Sequence, residues 1–429
     1  MEAIRYDQLK ETIYYEKLPN GLQVYVLPKE GFQKTYAAFS TNYGSVDNHF
    51  RLQGKEEQRV PDGIAHFLEH KMFEEPGGGD VFNKFASHGA SANAFTSFDR
   101  TVYLFSATEH IQENLKTLID FVQNPYFTNE NVEKEKGIIG QEIKMYQDNP
   151  DWRVYFGLIE TMYAKHPVHI DIAGTVESIA EITKDTLYDC YHTFYHPTNM
   201  NLFVVGGVDA NEIMKLVRDN QAAKTFEPQG EIERIFEEEP VQVRDARKQI
   251  TLPVSLPKCL FGFKEPAPAE RGDDLLRKEL VMRLALDILL GPSSSLYQSL
   301  YDENLISDSF GSEYNCSKDY AFTVIGGDTR SPEELLSAIK KELTPAIENG
   351  VSQEAFERSR RKKIGAFLRM MNSPESIANE YTKYRFRDTD LFQMLPLYES
   401  ITLQDVNEAI RRHFDWNQLA VSLVTSEKQ

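Results

Sequence analysis

Apolar and polar positions alternate near the start of the chain. In YEKLPNGLQVYVLPKE, residues 15–30, the turn dipeptide Asn20-Gly21 leads into Leu22, Val24 and Val26 on every second position, which predicts a strand. KTYAAFSTNYG, residues 34–44, predicts a second one. The period then lengthens. HIQENLKTLIDFVQNP, residues 110–125, sets Ile111, Leu115, Leu118, Ile119 and Val122 on one helical stripe that stops at Pro125. NVEKEKGIIGQEIKMYQDNP and FERSRRKKIGAFLRMMNSP read as charged helices halted before Pro150 and Pro374.

The pattern also repeats. ITKDTLYDCYHTFYHPTNMNLFVV, from Ile182, lies without a gap over ITLQDVNEAIRRHFDWNQLAVSLV, from Ile401, 219 residues later. The two charged helices match around Ile139-Gly140 and Ile364-Gly365, 225 residues apart, so small insertions separate shared elements of two copies. The stretch between them, FEPQGEIERIFEEEPVQV, is acidic, carries two prolines and reads as an exposed linker. Each copy runs from strands to long helices. The expected fold is therefore α+β: residues 1–225 and 246–429 as two homologous domains, each a mostly antiparallel sheet with helices on one face, joined by a linker at 226–245.

Composition narrows the function classes. The 429 residues carry 66 acids against 47 bases, a net charge of −19, which excludes a phosphate backbone as the main partner and suits a cationic one. Apolar stretches are strand-sized, so no membrane span is expected, and MEAIRYDQLKETIYYEKL has neither the basic nor the apolar region of a secretory signal. A cytoplasmic location follows as the expectation. Cys190, Cys259 and Cys316 are odd in number and far apart, which indicates neither disulfides nor a thiolate metal site.

Chemistry concentrates in GIAHFLEHKMFEEPG, where His66, Glu69 and His70 form H-x-x-E-H. On a helix, positions i and i+4 share a face, so both imidazoles reach one ion, with Glu69 beside them. Catalytic zinc generally takes three protein ligands and keeps a fourth position for water, whose proton a nearby carboxylate accepts. A second histidine pair of the same spacing, His192 and His196, has Tyr195 in place of the acid and Pro197 directly after it, and reads as structural. The third ligand is sought among the acids of NVEKEKGIIGQEIKMYQDNP. Glu135 and Glu142 lie two turns apart on one face, and spacing does not separate them. HPVHID, with His166 and His169, reads as a surface loop, and the glycine-rich PGGGD as a loop beside the metal helix.

LPNGLQVYVLP, NYGSVD, GIAHFLEHKMF, SANAFTSFDRTVYLF, EKEKGIIGQEIKMYQDNP and GTVESIAEITKDTLYDCYHTFYHPTNM resemble, in order, the N-terminal domain of the inverted zincins of the insulysin, pitrilysin and mitochondrial processing peptidase type. The resemblance covers residues 15–210 and continues more weakly from 246, in the half-size form whose subunits pair around a chamber. It implies one Zn2+ per chain, bound by His66, His70 and Glu142, with Glu135 supporting the site and Glu69 as the catalytic base. SANAFTSFDR matches the edge strand on which peptide substrates lie, with Asn93, Ala94 and Phe95 as the contacts. Phe367 stands where the second copy would need its glutamate, so that half is expected to bind no zinc.

One departure matters. Active members use an arginine and a tyrosine from a C-terminal domain, and GPSSSLYQSLYDENLISDSFGSEY resembles that region. Yet Tyr301 stands at the arginine's place, Asp308, Ser309 and Phe310 span the tyrosine's, and Tyr314 substitutes only if the loop is reshaped. The expectation is a zinc endopeptidase subunit cleaving small peptides or unfolded precursor segments, paired in a heterodimer with a related zinc-less chain that supplies the Arg/Tyr pair. A homodimer is the lesser expectation. The alternative is a non-catalytic structural or zinc-binding scaffold subunit.

Overall fold

The computed structural model describes residues 1–427, and packing groups them into two compact units. In the first, seven strands form one sheet: β1 (Glu2–Tyr6), β2 (Glu11–Lys17), β3 (Gln23–Pro28), β4 (Thr35–Thr41), β5 (Ser91–Thr96), β6 (Thr101–Ala107) and β7 (Met200–Gly206). Their spatial order is β1-β2-β3-β7-β4-β6-β5, antiparallel throughout except where β7 runs parallel to β3. The second unit holds β8 (Arg247–Thr251), β9 (Lys258–Glu265), β10 (Gly311–Cys316), β11 (Ala321–Asp328) and β12 (Leu419–Thr425), ordered β8-β12-β9-β11-β10. Its β12 is parallel to β8 and antiparallel to β9, so this sheet repeats the β3-β7-β4-β6-β5 part of the first.

The helices used below are α1 (Ile64–Lys71), α2 (Ile111–Val122), α3 (Asn129–Gln147), α4 (Pro150–Met162), α5 (Lys184–Phe194), α6 (Gly272–Leu290), α7 (Gln353–Met370), α8 (Pro374–Arg385) and α9 (Leu403–His413). The repeat is kept to the residue at the end of each copy. Lys184 opens α5 and Leu403 opens α9, Met200 opens β7 and Leu419 opens β12, 219 positions on in both cases. Thr183 and Thr402 cap the two helices through the same reciprocal capping box. Pro150 and Pro374 each occupy the first turn of the next helix, where a missing N–H costs nothing.

Those next helices, α4 and α8, change places. The first unit comprises residues 1–143, 170–236 and 370–386; the second comprises 144–169, 237–369 and 387 onward. Packing therefore does not follow a cut at 226–245, because each half gives one helix to the other's sheet. The reason lies in the faces that match. In α8, Tyr381 stacks on Phe203 of β7 at 4.5 Å and meets Tyr25 of β3 edge-on at 5.2 Å. In the second unit, α4 lies against β8, β9 and β12, with Gly157 so close to Ser422 that an added Cβ would stand 2.6 Å from its Oγ.

The α+β class is as expected, with an addition. Tyr103, Phe39 and Leu202 lie opposite one another on the face of the first sheet that α1 and α2 cover, while α8 covers the other. Every residue of β4 and β7 is consequently buried, and β3 is buried from Val24 through Leu27 instead of on alternate positions. The acidic stretch is tied down at both ends and is not simply exposed. Ile232–Arg234 pairs with strand His49–Leu52 in the first unit. In the second, the Glu239 carboxylate accepts N–H bonds from Ala164, Lys165 and His166 at 2.7–2.9 Å and pairs with the buried Lys264. His166, expected on a surface loop, is buried there.

Candidate metal centre

Helix α1 starts at Gly63, whose φ of +87° and close approach to the Ala173 carbonyl leave no room for a side chain. Ile64, Phe67, Leu68 and Met72 turn into the core, which brings His66 and His70 round to face α3. There one ligand atom each from His66, His70 and Glu142 lie within 4.8 Å of one another. Glu142 Oε1 is 3.8 Å from His66 Nε2, and Glu142 Oε2 is 3.6 Å from His70 Nε2. Both separations exceed a hydrogen bond and approach the spacing of about 3.3 Å between ligands at tetrahedral angles around zinc. Among the described residues this is the one such cluster.

The two acids that spacing left open are separated by the fold. Glu142 faces the Nε2 atoms, whereas Glu135 sits behind His70, its Oε1 3.1 Å from Nδ1. Glu135 is only 6% exposed. Burial alone would raise its carboxyl, but the His70 hydrogen bond and the charges of Lys71 and His70 hold it below the ordinary range. Burial lowers His70, and the surrounding carboxylates, Glu135 foremost, more than offset this. Among the described residues no carboxylate bonds the Nδ1 of His66; burial and the neighbouring His70 push it down to about 4, which keeps the imidazole neutral as a ligand must be.

Glu69, 8% exposed, accepts a hydrogen bond from Thr96 Oγ1 at its Oε2, 2.6 Å away. Burial pushes its carboxyl up, and the Thr96 bond opposes that. Thr96 closes β5, which among the described residues pairs with β6 alone and so forms the edge of the sheet beside α1. The Ala94 N–H donates to its neighbour's side chain, Asn93 Oδ1, at 2.9 Å. Strand alternation sets Ala94 and Thr96 on the face of Glu69 and turns the Asn93 and Phe95 side chains to the other, where Phe95 lies under the Arg100 guanidinium.

Sequence reasoning missed two residues at this centre. Thr96 is one hydroxyl among several in its strand, and Lys71, fully buried next to His70, is of a type that ordinarily marks surface. In the second unit Tyr314 is buried, with its hydroxyl on Glu265, while Tyr301 is exposed and Phe310 and Phe367 are buried. The second histidine pair is structural in its contacts: His192 stacks on Tyr188, and His196 bonds Thr198 and the Glu227 carbonyl.

A duplicated α+β fold with H-x-x-E-H on a helix beside a sheet edge is that of the inverted-zincin peptidases. The chain belongs to peptidase family M16: residues 55–176 match the model described as insulinase (peptidase family M16), and residues 181–363 the one described as peptidase M16 inactive domain. It is 54% identical to the uncharacterized zinc protease YmfH of Bacillus subtilis (strain 168), over 99% of both chains. A crystal structure of a putative M16-like peptidase from Alicyclobacillus acidocaldarius superposes with a TM-score of 0.95 at 42% identity, covering 99% of this chain and 100% of that one. The fold also covers 48% of the periplasmic protease PqqL from Escherichia coli, with a TM-score of 0.75 at 19% identity. Among the described residues no helix is long and apolar enough to cross a membrane.

Proposed function

We propose that the chain is the zinc-bearing subunit of an endopeptidase, with His66, His70 and Glu142 holding one Zn2+. The observation that carries this reading is the convergence of two imidazoles and one distant carboxylate, with a fourth group, Glu69, buried beside them. Zinc, when bound, supplies Lewis acidity toward a carbonyl and brings water to its nucleophilic form near neutral pH. Glu69 accepts the proton at its carboxylate and returns it to the leaving amine nitrogen. Thr96 occupies Oε2, which leaves Oε1 for that proton. The main chain of Asn93, Ala94 and Phe95 offers a sheet edge to an extended peptide, which would take the Ala94 N–H from the Asn93 side chain.

Small peptides and unfolded precursor segments are the substrates of this reading, admitted to a closed chamber formed with a second subunit. The net charge of −19 favours basic ones and disfavours nucleic acid. That second subunit is a related zinc-less chain supplying the Arg/Tyr pair. The absence of arginine at Tyr301, and the burial of Tyr314 against Glu265, support this assignment. The complex works in the cytoplasm.

Metal analysis with a quenched, unstructured peptide tests the reading. Glu69→Gln should keep its zinc and lose hydrolysis by roughly 10²- to 10⁴-fold, whereas His70→Ala should lose both. Parent-like cleavage by Glu69→Gln would end it. Ordinary turnover by the chain alone would remove the partner.

A further inference from the structure

Position 71 belongs to the core stripe of α1: it follows Phe67 by four residues and Leu68 by three, and it is 0% exposed. An apolar residue would fill that place at no electrostatic cost, yet it holds a lysine. A buried ammonium is retained only where carboxylates compensate it. Lys71 Nζ has two, Glu74 Oε1 at 2.8 Å and Glu135 Oε2 at 3.5 Å. The Glu135 carboxylate is thus divided, with Oε2 toward Lys71 and Oε1 toward His70 Nδ1.

This division bears on the centre as a whole. Glu135 and Glu142 both lie along α3 facing α1, Glu135 at His70 Nδ1 and Glu142 at the Nε2 atoms of both imidazoles. A second carboxylate on the Nε2 side would crowd Glu142 and release the ring of His70. We propose that Lys71 is a positioning residue of the metal centre: its ammonium draws Glu135 behind His70, which fixes that ring and leaves Glu142 as the acid facing the Nε2 atoms. The inference rests on the ligand set assigned above and extends it to a side chain that touches neither ion nor substrate.

The test measures Zn2+ affinity of the full chain by competition with a chromophoric chelator, and the visible absorption of the Co2+-loaded chain, with His70→Ala as reference. Lys71→Met, of similar length and without charge, should weaken Zn2+ binding by roughly 10- to 100-fold and alter the Co2+ spectrum, as loss of an outer support does elsewhere. Lys71→Arg should restore most of the affinity. Glu135→Ala should show the same loss, and Lys71→Met added to it should cost nothing further. Parent-like affinity in Lys71→Met, or losses that multiply in the double variant, would overturn the proposal. If Lys71→Met does not fold, Lys71→Gln, polar and uncharged, answers instead: weakened Zn2+ binding with an altered Co2+ spectrum supports the proposal, and parent-like binding overturns it. An unaltered His70→Ala would refute the ligand set itself.

Discussion

The hydroxyl of Thr96 gives the sharpest test of how Glu69 is held. It donates across 2.6 Å to a carboxylate oxygen in a largely buried setting. A hydrogen bond to a charged group is worth about 1.5–3 kcal/mol. Thr96→Val keeps the shape and removes the donor, leaving Glu69 free to rotate and its Oε2 without that partner. If the bond persists through the reaction, its loss lowers kcat by roughly 10- to 150-fold, since about 1.4 kcal/mol is a factor of ten. KM should hold near the parent value, because Thr96 acts on Glu69 and its own main chain at the edge is unchanged. Thr96→Ser, which restores the donor, should recover most of the rate. The assay is steady-state cleavage of a quenched peptide by the assembled enzyme, with zinc content measured alongside. A Thr96→Val enzyme within twofold of the parent, or a Thr96→Ser enzyme as slow as Thr96→Val, would refute the reasoning.

Two further outcomes concern stability. Tyr381→Ala removes a fully buried ring from α8 that stacks on Phe203 and abuts Tyr25, so it should destabilise the first unit by about 3–5 kcal/mol, read as a lower urea midpoint; an unmoved midpoint would show that α8 is dispensable. In the second unit, burial would raise the Glu265 carboxyl, but the His413 hydrogen bond and the charges of His413 and Lys278 bring it down from 4.5 to about 2. A depressed carboxyl stabilises above its unfolded value and loses that contribution as pH falls through the folded one. Of roughly 3 kcal/mol in all, about 2 should be gone by pH 3. Urea midpoints from pH 7 to 3 should fall more steeply for the parent than for Glu265→Gln, and parallel curves would contradict this.

Much of this was legible along the chain. The duplication could be read because a capped helix, a short 3-10 turn and a buried central strand recur in one register, so Thr183 and Thr402 carry the same local signal. The helix bearing His66 and His70 was legible for the same reason, since both the apolar stripe and the histidine spacing are local. Choosing Glu142 over Glu135 needed the family resemblance, because two acids seven residues apart share one helix face and differ only in what α1 presents to each. The exchange of α4 and α8 left no local mark: the apolar face of Tyr381 matches a partner far away in sequence, and periodicity does not say which sheet a helix will cover. Lys71 escaped notice because a buried cation has the same sequence signature as a solvated one. His166 failed in the same way, its burial depending on Glu239, 73 residues later.

The traded helices also set the order in which the chain can mature. The first sheet gains its last covering element only with residues 370–386, although the rest of that unit is complete at residue 236. At a synthesis rate of about 5–20 residues per second, the intervening 150 residues keep the nascent sheet waiting for roughly 8–30 s. During that interval the Tyr25 and Phe203 side of the sheet lacks the ring of Tyr381 and stands open to chaperones or to aggregation. The geometry of the candidate metal centre is thus built on a scaffold whose completion awaits the ribosome's passage through most of the other copy.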